Sequence, residues 1–202
     1  MNFSALERCI AGIDYGSRLA GTTRIASVND MGAVESIASR KGQDADALIL
    51  SWAAQARPSR IFLDAPLSLP RIYRSPDSEG DYFYRQADKA LQAMSPLFLG
   101  GLTARAMRLS AQLRQEGILV FEVYPAHLAR ILGIRGSGYK EKQTNPADLV
   151  QELASACPFP IEQLPVPDWH AFDAALALWS GCRFTKGEAL SFGDSDEGLI
   201  HV

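Results

Sequence analysis

Residues 8–16, RCIAGIDYG, decide how the rest of the chain is read. A short run of small and branched apolar residues closed by Asp14 and Gly16 has the make-up of a buried strand ending in a turn. Outward from it, residues 20–29 (AGTTRIASVN) form a second apolar segment. Asn29-Asp30-Met31-Gly32 supplies turn chemistry, and residues 32–39 (GAVESIAS) complete an antiparallel three-stranded meander. Residues 44–56 (DADALILSWAAQA) are predicted to be helical, because Ala47, Leu48, Trp52 and Ala56 recur at helical spacing and Pro58 stops the run. Residues 60–66 (RIFLDAP) are a second compact apolar run closed by an acid, Asp64. A helix intervenes, so this strand is predicted to lie parallel to the first.

Residues 67–100 mix proline, glycine, arginine and aromatic side chains and are read as an ordered insertion, in which Tyr73, Tyr82, Phe83, Tyr84, Leu91 and Phe98 pack. A helix over 102–115 follows, then a fifth strand over 118–125 (ILVFEVYP) with Glu122 near its carboxyl end. Beyond it come a short helix (126–134), a polar loop (135–145) and a helix opened by Pro146. Residues 169–186 (WHAFDAALALWSGCRFTK) form a helix that is apolar nearly all round, capped by Asp168 and stopped by Gly187. The tail, 187–202, is acidic and extended. The expected fold class is α/β: a mixed five-stranded sheet, an antiparallel meander plus parallel strands, flanked by helices. It forms a single domain over 1–202 with a helical insertion at about 67–100.

Composition narrows the function. With 202 residues, 47% apolar and 21% charged, the chain is globular in character. No stretch approaches the roughly 20 apolar residues of a membrane span. Glu7 and Arg8 interrupt the first ten residues, so no signal peptide is expected there. Cys9, Cys157 and Cys182 are widely spaced with no CxxC, which speaks against a disulfide framework or structural zinc and for a reducing cytoplasm. A Walker A loop, a GxSxG elbow, an HExxH helix and a GxGxxG after a strand are all absent. Net charge is −3, yet 57–142 holds 13 Lys/Arg against 8 Asp/Glu while the rest holds 7 against 15. A basic middle in an acidic protein suits an anionic substrate.

Four acids sit where apolar residues are expected: Asp14, Asp64 and Glu122 at strand ends, and Asp173 inside the apolar helix. An ionised carboxylate is costly to bury, so such acids are paired, capping or metal-bound. Strand carboxyl ends of an open α/β sheet are where sites are built. If the strands are neighbours, the acids emerge at one edge, and divalent Mg²⁺ or Mn²⁺ would relieve their repulsion. Two such ions about 3.5–4 Å apart can activate water and stabilise a leaving oxygen.

The segments GIDYGSRLAGTT, IFLDAPLSLP, RQAD, GGLTARAM, FEVYPA and FDAALAL, in that order, resemble the domain of unknown function four-two-nine family. The resemblance spans about residues 9–200 and implies an RNase H-like fold and a metal-dependent nuclease. It implies metal-binding, catalytic roles for Asp14, Asp64, Glu122 and Asp173. His170, three residues before Asp173 where related resolvases carry an acid, would bind metal or move a proton. Arg85 and Asp88 of RQAD and Arg105 of GGLTARAM would bind substrate, Arg85 by clamping phosphate. The expected partner is a nucleic acid or a phosphate ester. Two other functions fit the same residues: a nucleotide-binding ATPase or kinase-like protein of the same broad fold, and a catalytically silent nucleic-acid-binding protein.

Overall fold

A computed structural model describes residues 9–29, 31–75, 79–134, 136 and 138–202. Glu7, Arg8 and Asp30, part of the insertion (76–78), and Arg135 and Ser137 of the polar loop lie outside them. The strands are β1 (Ile10–Asp14), β2 (Arg24–Val28), β3 (Val34–Ala38), β4 (Arg60–Asp64), β5 (Leu119–Val123), β6 (Ser191–Asp194) and β7 (Gly198–His201). The helices are α1 (Ala45–Ala56), α2 (Gln86–Leu91), α3 (Pro96–Leu99), α4 (Gly101–Gln115), α5 (Pro125–Ile131), α6 (Pro146–Leu153) and α7 (Trp169–Lys186). The strands form one mixed sheet in the order β3-β2-β1-β4-β5-β7-β6.

The meander is antiparallel, and β4 and β5 join parallel to β1. The sheet has seven strands where five were expected. The tail folds into the hairpin β6–β7, and β7 pairs parallel to β5 through Glu122↔Ile200 and Val123↔His201. Four-residue strands, one of them interrupted by Gly193, are too short to show a period-two pattern. The insertion is helical in short pieces, a 3-10 turn at Arg71–Tyr73 followed by α2 and α3.

Each sheet face has its own core. Ile10, Phe62 and Val123 pack beneath α7, whereas Ala11, Ile13, Ile61, Leu63 and Val120 pack with residues of α1 and α4. That alternation follows from the pleat, which sends successive side chains to opposite faces. α7 lies directly on β1: a Cβ on Gly12 would stand 2.0 Å from the Leu178 backbone nitrogen and 2.5 Å from the Ala174 carbonyl oxygen. Glycine at that position lets the helix approach close enough to set Asp173 beside the carboxyl end of β1.

Candidate metal centre

The registers place the acids. Asp14 is directly opposite Asp64 across the parallel pair β1–β4, so both side chains leave the sheet on the α7 face. Asp173 reaches them from α7, and one carboxylate oxygen from each of the three lies within 4.8 Å of the others. Asp173 is 2% exposed and well partnered: Tyr139 donates its hydroxyl to Oδ1 at 2.6 Å, and the Lys140 ammonium is 2.6 Å from Oδ2. His170 Nδ1 is 2.8 Å from Asp14 Oδ2. Asp64 accepts no hydrogen bond among the described residues. Burial, then the charges of Asp14 and Asp173, push its carboxyl well above the usual carboxylate range. Burial likewise raises Asp173, against the pull of Lys140, while the bond to Asp14 raises His170.

Glu122 does not join them. It stands opposite Leu63, one residue short of Asp64, and its side chain therefore leaves the sheet on the other face. There it meets Arg85, whose residue is 0% exposed. Arg85 Nη1 donates to Glu122 Oε2 at 2.7 Å and Nη2 to Oε1 at 2.6 Å, and the Leu67 amide donates to Oε2 at 2.8 Å. Nε and Nη2 also donate to Asp88, and Nη1 to Ser68. These contacts commit all five guanidinium N–H donors. Arg85, expected to clamp phosphate, and Asp88 are thus held together in a buried ionic network with Glu122 and Ser68. The fourth expected metal ligand, Glu122, is taken by the same network.

Arg105 belongs to a third group, built around a residue that sequence reasoning missed. Asp46, in the first turn of α1, accepts from Arg105 Nη2 at 2.6 Å and from the Tyr15 hydroxyl at 2.5 Å. An acid there looks like an ordinary helix-start residue beside the N-cap Asp44. The Arg105 guanidinium also sits 4.7 Å above the Tyr15 ring, and Nη1 donates to the Gly16 carbonyl. Burial alone would raise Asp46, but the bonds from Arg105 and Tyr15 outweigh it and hold the carboxyl below its ordinary 3.8. A depressed folded-state value stabilises the fold above the unfolded value and is lost as pH falls through the folded one. Asp46→Asn is therefore expected to be less stable than wild type at neutral pH. Urea titrations should show that deficit shrinking as pH falls below about 3.8.

A cavity of about 380 Å³ opens beside the centre, bounded by Asp14, Asp64 and Lys140 at its polar end. The buried Arg85, Asp88 and Glu122 border it as well, and apolar side chains such as Ala65, Pro66, Met94, Leu99 and Leu102 form much of the remaining wall. Tyr139 and Lys140 were also missed. They come from the polar loop, whose residues carry no periodic signal, and only the fold brings them to Asp173.

Sheet and site together define an α/β protein with three carboxylates converging at the ends of two neighbouring parallel strands and on the helix that crosses them. The chain belongs to the family described as protein of unknown function (DUF429), whose model matches residues 12–198. Comparisons with curated proteins and with solved structures gave no match. No helix among the described residues is long and apolar enough to cross a membrane.

Proposed function

We propose that the protein is a metal-dependent phosphodiesterase, a nuclease of RNase H-like architecture, with Mg²⁺ or Mn²⁺ held by Asp14, Asp64 and Asp173. The observation that carries this reading is Asp64. Among the described residues it has no hydrogen-bond donor, and it stands with two other carboxylates on the wall of the cavity. An all-oxygen donor set fits a hard divalent cation, and such an ion activates water and stabilises the charge on phosphoryl oxygens. The antiparallel meander followed by two parallel strands in the order 3-2-1-4-5 supports the architecture.

The chain's own residues divide the remaining work. Asp14 orients His170 through Nδ1, leaving Nε2 of a half-exposed ring to exchange protons. The apolar cavity wall suits the sugar and base of a nucleotide whose phosphate faces the acids. Arg105 keeps uncommitted N–H donors beside the loop that follows Asp14 and can meet an incoming phosphate. Arg85 and Asp88 stiffen the cavity floor. A cytoplasmic location is part of this reading, supported by the absence of a disulfide among Cys9, Cys157 and Cys182.

The test is a cleavage panel of single strands, duplexes, branched DNA, RNA–DNA hybrids and nucleotides, with and without Mn²⁺. Cleavage of at least one substrate, dependent on metal and abolished by Asp64→Asn, is the expected result. Metal binding without cleavage of any substrate would favour the silent binding protein. ATP hydrolysis with no phosphodiester cleavage would favour the nucleotide-binding reading.

A further inference from the structure

We propose that the centre takes one divalent ion, because Lys140 occupies the place that a second ion would fill; the inference rests on the metal-binding reading above. The oxygens can be accounted for one by one. Asp173 spends Oδ1 on Tyr139 and Oδ2 on Lys140, and Asp14 spends Oδ2 on His170. Glu122, the remaining acid at this edge, spends both oxygens on Arg85. The carboxylate oxygens left without a partner among the described residues are Asp14 Oδ1 and the two of Asp64. That set, together with an Asp173 oxygen that keeps a second lone pair beside its hydrogen bond and with water, serves one octahedral ion. A pair of ions sharing a bridging carboxylate needs further oxygens on each side.

Charge gives the same count independently. Three ionised carboxylates, the Lys140 ammonium and a neutral His170 sum to two negative charges, which a single divalent cation balances. A second divalent ion would leave the centre with excess positive charge beside the Lys140 ammonium. The lysine is built into the site, since it borders the same cavity as Asp14 and Asp64. Its backbone is held in the left-handed region at φ 59°, where a residue with a Cβ needs support from its surroundings. The adjacent Tyr139 is buried and hydrogen-bonded to the same Asp173.

Equilibrium dialysis with Mn²⁺, followed by metal quantification and electron paramagnetic resonance, tests this without measuring activity. Wild type should hold one Mn²⁺ per chain and show the spectrum of an isolated ion. Lys140→Arg keeps the cation and should also hold one. Lys140→Gly suits the left-handed backbone, removes the charge and should take up a second ion with the broadened spectrum of a coupled pair. Two ions in the wild type would overturn the inference while leaving the metal-binding reading intact, and the wild-type count needs no variant to fold. A Lys140→Gly protein that melts normally yet stays at one ion would also overturn it. No bound ion in the wild type would instead remove the metal-binding reading on which the inference rests.

Discussion

Asp64→Asn is expected to melt higher than the wild type when no metal is present, and to lose the response to Mn²⁺. The reason is that Asp64 has no hydrogen-bond donor to lose among the described residues and sits among like charges. Neutralising it relieves repulsion and leaves no partner stranded, for a gain of about 1 kcal/mol, or roughly 2–4 °C in a chain of this size. Wild type with metal at a hundredfold excess over the dissociation constant gains about 2.7 kcal/mol, and the variant should gain nothing. The pH dependence carries the same signature. A carboxyl raised above its unfolded value of 3.8 holds its proton longer in the folded state. Its contribution is therefore greatest below about pH 3.8 and declines as pH rises through the raised value, so the metal-free wild type should lose stability across that interval and Asp64→Asn should lose less. Asp173→Asn makes a useful contrast. Its oxygen can still accept from Tyr139, and the half-exposed Lys140 can return to water, so the metal-free melting temperature should change little while the metal response disappears. An Asp64→Asn protein that melts several degrees lower and still responds to Mn²⁺ would mean that the acid serves the fold.

Arg85→Met is expected to have the opposite sign and a larger size. Its guanidinium is fully buried and holds two buried carboxylates, Asp88 and Glu122. Removing the cation leaves both acids without compensation, a loss of about 3–5 kcal/mol, or roughly 6–20 °C. Glu122 also accepts from the Leu67 amide where the insertion begins, so the loss should loosen the cavity floor as well. Adding Asp88→Asn and Glu122→Gln removes the stranded charges and should recover much of the stability. Differential scanning calorimetry of the single and triple variants checks this. A drop of only a degree or two in the single variant would show that the network carries little of the stability.

How much of this could be read in advance depended on the kind of signal each residue leaves. Asp14 and Asp64 each close a short apolar run, and Asp173 interrupts an apolar helix, so three carboxylates stood out against their neighbours. Glu122 stood out in the same way, yet it belongs elsewhere. A one-residue difference in register, Leu63↔Glu122 instead of Asp64↔Glu122, turns its side chain to the opposite face. Strand ends cannot be placed to a single residue from composition, and that is the precision the assignment required. Arg85 and Asp88 were visible as a pair at i and i+3, but their burial was not, because it depends on Glu122 arriving from β5. Lys140, Tyr139 and Asp46 sit where a lysine, a tyrosine or an aspartate is ordinary, and tertiary packing alone gives them their roles. The β6–β7 hairpin left no pattern because its strands are four residues long.

The most direct measurement is a calorimetric titration of Mn²⁺ into the metal-free wild type beside the same titration into Asp64→Asn, both at about 0.15 M salt to screen weak surface sites. Three converging carboxylates with Asp64 uncommitted should give a saturable heat in the wild type and none above dilution in the variant. No saturable binding to the wild type, or the same binding to both proteins, would contradict the assignment of Asp14, Asp64 and Asp173 as a metal centre.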